Sequence, residues 1–202
     1  MAVMTNEDKG LFWNSQGGDR KYNADSLSRF ISMFFNTGVM VDTLEVTPAT
    51  GMSVVMDKGC VNIINPNQGA EIARVKFFDE ETAFALEMAD GTSPRIDTIV
   101  IERNDNNREV TAKVVTGVPA ASPVPVAPVR TDTIYQLVIA EIEVAAGATS
   151  ITSGNITDKR SDATVCGIIE KPTNTVTWGT EELISGTSPL DSGTFYFVYD
   201  DE

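Results

Sequence analysis

Histidine is missing from the 202 residues, and cysteine occurs twice. Without imidazole, Ser-His-Asp and Cys-His catalysis, the usual zinc sites and the commonest general base are all excluded. Cys60 and Cys166 lack CxxC spacing, so they read as two buried free thiols in a protein assembled in a reducing cytoplasm. Positive charge is scarce: 15 Lys and Arg face 29 Asp and Glu, a net charge of −14. Such a field repels phosphate backbones and anionic lipid, so neither nucleic acid nor a membrane is an expected partner. No apolar run reaches the ~18 residues of a membrane span. The opening MAVMTNEDKG turns polar by residue 5, so no secretory signal is expected. Among 29 acids a glycosidase-type carboxylate pair stays formally open, but no spacing singles one out. No catalytic residue, cofactor or metal ligand is therefore assigned, and no enzyme activity is expected.

The remaining composition is that of an ordinary globular chain, 42% apolar and 22% charged. Residues 1–22 read as a polar, Gly-rich arm with Phe12 and Trp13 as isolated anchors. In 23–38, Leu27, Phe30, Ile31 and Phe34 fall at i, i+3, i+4 and i+7, which predicts one short amphipathic helix packed on the core. Asn23 or Asp25 can cap its start and Gly38 its end.

From residue 39 the period is two. Short β-rich segments at 43–48, 51–65, 73–79 and 82–88 are punctuated by Gly, Pro, Asn and Asp. Segments 96–103 and 109–115 form a hairpin reversed by Asn104-Asp105-Asn106-Asn107, whose side chains bond their own turn. The calcium-loop pattern is missing there. Ile99-Val100-Ile101 is apolar on both faces, which marks a central strand. Residues 117–130 hold four prolines and read as a stiff extended connector wrapping the sheet. In 134–147, Val138, Ala140, Ile142 and Val144 share a face, yet Leu137 and Ile139 fall on the side of Glu141 and Glu143. The fold class expected is mainly β: a β-sandwich or barrel-like sheet of 23–171 with one N-terminal helix, followed by a small β appendage at 172–202. The appendage carries Trp178 and an aromatic strand, Phe195, Tyr196, Phe197 and Tyr199, apolar on both faces and expected to pack on a partner chain or on the main body.

Two charged pairs abut strand ends, Arg95 with Asp97 and Asp158 with Arg160. They are expected to form one structural cluster, tying the two long hairpins together by charge-assisted bonds, with separate solvated charges as the alternative.

The order of segments is itself informative. R-I-D-T-I-V at 95–100, the Pro-rich crossover, L-V-I-A-E-I-E-V at 137–144 and I-T-D-K-R at 156–160 together resemble tailed-bacteriophage baseplate and tail-tip proteins. The resemblance is greatest to the N-terminal domain of the baseplate upper protein family and spans most of 23–169. It implies a virion component that attaches to the tail core and holds or connects receptor-binding components. Its implied partners are other tail or baseplate proteins and further copies of itself, as trimers or hexamers, in the virion after assembly in the host cytoplasm. Larger relatives continue into a stalk and head that this chain lacks, which suggests an adaptor or decoration subunit. A head fibre, neck or capsid decoration protein is the alternative, as is a carbohydrate-binding module using Trp13, Trp178 or Tyr196.

Overall fold

The computed structural model describes residues 24–68 and 72–169, together with the backbone of two later strands, Thr175–Gly179 and Thr194–Val198. The chain divides into two compact units, Met1–Ile169 and Glu170–Glu202. The boundary expected after Lys171 thus falls at Ile169.

The first unit opens with α1 (Ala24–Ser32) and continues in strands throughout: β1 (Gly38–Met40), β2 (Val46–Pro48), β3 (Ser53–Met56), β4 (Gly59–Ile64), β5 (Ala73–Phe78), β6 (Thr82–Ala85), β7 (Arg95–Asn104), β8 (Glu109–Val115), β9 (Ile134–Val144), β10 (Ile156–Asp158) and β11 (Ile168–Ile169). These make three sheets ordered β11-β1-β4-β5, β2-β3-β6 and β10-β9-β7-β8. The architecture is mainly β and sandwich-like, and no closed barrel forms among the described residues. All three sheets supply the core: Val39, Val61 and Ile63 from the first, Val46, Val54, Met56 and Phe84 from the second, Ile99, Ile101, Leu137 and Ile142 from the third.

β7 runs between β8 and β9, as its two apolar faces require. The hairpin β7–β8 turns as expected, with the Asn104 side-chain carbonyl accepting from the amides of Asn106 and Asn107 at 3.1 Å. The awkward pattern of β9 has a simple cause. Ile99 pairs with Ala140 and Val100 with Val138, so Ile139 is an extra residue in a β-bulge. The bulge reverses the inside and outside of the strand, so that Leu137 and Ile139 reach the same core as Ala140, Ile142 and Val144. The Pro-rich connector leaves β8 at Gly117 and rejoins the sheet where the Gln136 amide donates to the Val129 carbonyl at 3.0 Å.

α1 departs from expectation in length and in packing. It ends at Ser32, and Gly38 begins β1 instead of capping a helix. The apolar stripe expected of it is not part of the core: on α1 Leu27 is 44% and Phe30 36% exposed, and Phe34, beyond its end, 60%. The three sheets already fill the interior, and the helix is tethered at the sheet margin by polar bonds. Arg74 on β5 donates to Asp25 at 2.8 Å and to Ser28 at 3.2 Å, and Asn62 donates to the carbonyls of Phe35 and Asn36.

β11 closes the unit by pairing in parallel with β1, Val39 opposite Ile168 and Met40 opposite Ile169. The approach leaves no room for side chains where the two segments meet. Gly38 has φ +153°, and a Cβ there would lie 2.5 Å from the Gly167 carbonyl oxygen. Gly117 is similarly confined, because a Cβ would collide with the Ile96 carbonyl. In the second unit β12 (Thr175–Gly179) and β13 (Thr194–Val198) pair in parallel.

Gly38→Ala and Gly117→Ala are each expected to lower stability by about 1–3 kcal/mol through overpacking against backbone. Urea unfolding should show a lower midpoint at unchanged slope, while Gly91→Ala, with open space around it, stays near wild type.

Candidate functional site

Residues two apart on a strand share a face, so on β7 Arg95, Asp97, Ile99, Ile101 and Arg103 all point the same way. That face is the core face, and the strand therefore carries charge at both ends of an apolar centre. Arg95 is 3% exposed and Asp97 0%. Charges so buried must be fully paired, and these are. Arg95 grips Asp97 through two bonds, Nε to Oδ1 at 2.8 Å and Nη2 to Oδ2 at 3.0 Å. Its remaining donors reach the Met88 carbonyl at 2.8 Å and the Glu87 carbonyl at 2.6 Å. Asp97 Oδ1 also accepts the Gly117 amide at 2.8 Å. One pair thus pins the β6–β7 loop and the start of the Pro-rich connector to β7.

The same device recurs. At the far end of β7, Arg103 bonds Asp105 at 2.9 Å and donates to the carbonyls of Ile63 and Ile72, which fixes the end of β4 and the approach to β5. Burial pulls the Arg103 pKa below its ordinary value, against the opposing pull of Asp105. On β10, Asp158 bonds Arg160 at 2.6 Å, and Arg160 donates to the Thr43 carbonyl at 2.7 Å. Thr43 lies between Asp42 and Leu44, both left-handed at φ +57° and +59°. For a buried leucine that backbone is strained, and Arg160 holds the strained turn in place. The bond to Arg160 sets the Asp158 carboxyl below the usual range and raises the guanidinium.

The expected cluster of four is therefore two separate stitches. Arg95 and Asp97 come together, as do Asp158 and Arg160, but their bonds go to different loops, and no hydrogen bond among the described residues joins the pairs. β9 lies between them, with Asp97 opposite Ile142 on one side and Asp158 opposite Ala140 on the other. Sequence reasoning missed Arg103 and Asp105, although the Arg-x-Asp spacing of 95–97 repeats there. It also missed Arg130, which stacks 4.9 Å from the Tyr135 ring and donates to the carbonyls of Thr164 and Val165.

The opposite face of β7 carries another buried acid. Glu102 accepts from Lys113 on β8 and, at 2.6 Å, from Gln136 on β9, whose side-chain oxygen takes the Val129 amide. Burial pushes the Glu102 carboxyl up, but these donors outweigh it and hold the group below the ordinary carboxylate range. Cys166 is buried and its thiol is pushed up to about 12, so it is inert as a nucleophile near neutral pH.

These groups are spent on backbone, and the surface presents a different chemistry. A groove of about 1270 Å³ runs between α1, β5 and β8, lined by Asp25, Arg74, Arg103, Asp105, Arg108 and Glu109 among others. Its central arginines already hold Asp25 and Asp105. Elsewhere on the surface, Phe34, just past the end of α1, and Phe77 of β5 (63% exposed) are open to solvent, and in the β6–β7 loop Met88 is 86% exposed. Of the expected partner interface, Trp178, Phe195, Tyr196 and Phe197 fall on the paired β12 and β13. Tyr199 and Trp13 lie outside the described residues. Among the described residues no group of three or more Cys, Asp or Glu is arranged to hold a metal ion. Comparison with protein-family models, with curated proteins and with solved structures returns no match.

Arg95→Ala is expected to cost about 3–5 kcal/mol, since it strands a buried carboxylate. Arg160 is only partly buried and its carboxylate partner faces solvent, so Arg160→Ala is expected to cost about 1–2 kcal/mol. In a double-mutant cycle Arg95→Ala and Asp158→Ala should add to within about 0.5 kcal/mol; a larger coupling would restore the single cluster. Asp158 and Glu102 ionise at lower pH in the folded chain than unfolded, so their contribution is complete above about pH 5 and drains as pH falls through the folded values. Asp158→Asn should flatten the acid limb of a plot of urea midpoint against pH.

Proposed function

We propose that this chain is a non-catalytic structural component of a tailed-phage particle, seated at the tail tip or baseplate and joining receptor-binding components to the tail core. The observation that carries the reading is where the motif segments fall. R-I-D, I-T-D-K-R and the Pro-rich crossover, which bear the resemblance to baseplate proteins, are the segments whose side chains stitch loops to the central sheet. Arginines that bond carbonyls build a stiff body, and stiffness is what an adaptor between larger parts needs. Large exposed apolar side chains such as Leu27 on α1, Phe77 on β5 and Met88 in the β6–β7 loop are the groups that protein partners would cover. Several copies engaging one ring turn a modest contact per subunit into lasting attachment.

Antibodies raised against the purified chain, used for gold labelling of particles from the producing host, test this directly. Label at the tail tip is the expected outcome. Label confined to the head or neck would move the protein to a fibre or decoration role there, and its absence from purified particles would refute the virion reading. Binding on a glycan array by a variant-sensitive aromatic would favour the carbohydrate module instead.

A further inference from the structure

Between β8 and β9 the chain runs as a strap that is fixed only at its ends. At the first end the Asp97 carboxylate accepts the Gly117 amide at 2.8 Å, and the Pro94 carbonyl accepts the Ala120 amide at 3.0 Å. At the second, Gln136 is bonded twice to Val129: its side-chain oxygen takes the Val129 amide at 2.8 Å, and its own amide donates to the Val129 carbonyl at 3.0 Å. Across 121–128 no hydrogen bond among the described residues joins the strap to the rest of the chain.

The prolines decide its shape. Their rings fix φ at about −65° at Pro123, Pro125 and Pro128, and the clash with each ring holds Ser122, Val124 and Ala127 to extended backbone. After a bend at Ala121 and Ser122, residues 123–129 therefore run as a polyproline II helix, with three residues per turn. Exposure follows that period. Val124 and Ala127 share a row and face solvent, Val124 at 75%. Pro125 faces solvent in the next row. Pro123, Val126 and Val129 form the third row, the first half-buried and the other two 39% and 43% exposed. A strand would set Val124 and Val126 on one face; their unequal exposure fits the threefold helix instead.

What such a ridge fits follows from its chemistry. Residues 117–129 carry no charge, so an ionic groove gains nothing from them. Amides spaced by a third of a turn do not line up for a partner strand, and three of the eight unbonded residues are prolines with no N–H at all. The carbonyls remain as acceptors beside exposed apolar side chains. Aromatic rings that bracket those side chains, with indole N–H or phenol O–H groups to meet the carbonyls, satisfy both, and aromatic-lined grooves read polyproline II segments in this way. Because both ends are already held, the ridge loses little freedom on docking.

We propose that residues 123–128 are a docking ridge for a different protein that bears a groove lined by Trp and Tyr. Val124, Pro125 and Ala127 sit between the rings, and the ring N–H or O–H groups donate to strap carbonyls. The contact goes beyond the particle reading, because it specifies the chemistry of the partner's surface wherever that partner resides.

The test is photocross-linking of the full chain in its producing host. On irradiation, Val124→p-benzoylphenylalanine and Ala127→p-benzoylphenylalanine are each expected to give an adduct with one other protein. Val126→p-benzoylphenylalanine, in the inner row, should give less of it. Mass spectrometry should place the link beside Trp or Tyr in that partner. The purified partner should bind the Val124→Asp chain at least about tenfold more weakly than the unaltered chain. Pro125→Gly, which loosens the strap, should weaken binding about two- to fivefold. Val118→Asp, exposed but ahead of the bend, should leave it unchanged. Unfolding midpoints should match the unaltered chain; should Val124→Asp unfold, Val124→Ser carries the same measurement. No adduct, an adduct with a second copy, equal yield from Val126, or a link to a surface without Trp or Tyr would each overturn the proposal. None of these results decides whether the protein is found in particles, which the gold labelling reads separately.

Discussion

An arginine and an aspartate two residues apart on one buried strand constrain everything around them. Once both are out of water, neither tolerates an unfilled bond, and the guanidinium has more donors than one carboxylate can satisfy. Arg95 therefore needs the Glu87 and Met88 carbonyls as much as that loop needs Arg95, and Asp97 needs the Gly117 amide. The pair turns the end of a strand into a junction where three chain segments must meet in one geometry. Arg103 with Asp105 repeats the device at the other end of β7, and Arg160 with Asp158 repeats it on a strand two places away. The sandwich is thus an apolar centre with its loops riveted at both rims by fixed cations. For Arg95 and Asp97, both out of water, that is a different use of arginine from the solvent-exposed ion pair, whose contribution is small and salt-sensitive. Asp158 is half exposed, and there it is the bond to the Thr43 carbonyl that ties the loop.

This division of labour bears on function. An acidic chain with few cations has placed four of them, Arg95, Arg103, Arg130 and Arg160, on backbone carbonyls of neighbouring segments. Cations in that role serve shape. The loops they secure are then free to carry apolar groups outward without collapsing onto the body, which is how Met88 stays clear of the core while Leu86, two residues earlier, is buried in it.

Much of the fold was legible because its signals are local. Asx-rich reversal at 104–107, the two apolar faces of β7 and the proline density of 117–130 each follow from single-residue preferences, and the structure has the hairpin, the central strand and the extended connector. The bulge at Ile139 was visible only as an inconsistency, Leu137 and Ile139 sharing a side with Glu141 and Glu143. An inserted residue leaves no signature beyond a switch of parity, and its position depends on the partner strand. The helix misled for another reason. Its spacing fixes which side chains share a face but says nothing about what lies opposite, and three sheets had already closed the interior. The charged pairs were recognised as structural, but which loop each serves depends on tertiary distance. Arg160 reaches Thr43, far away in the chain, and no spacing reveals that.

The parallel pairing of Val39 with Ile168 also dictates a timetable. During synthesis β1 emerges early and finds β4 soon after, but its other flank stays bare until nearly the whole unit has left the ribosome, at about 5–20 residues per second. A nascent chain therefore carries one open strand edge for seconds and cannot finish its body piecemeal. A polypeptide cut short before Ile168 would keep that flank of β1 bare, while one that reaches Ile169 covers it with the closing strand of the unit.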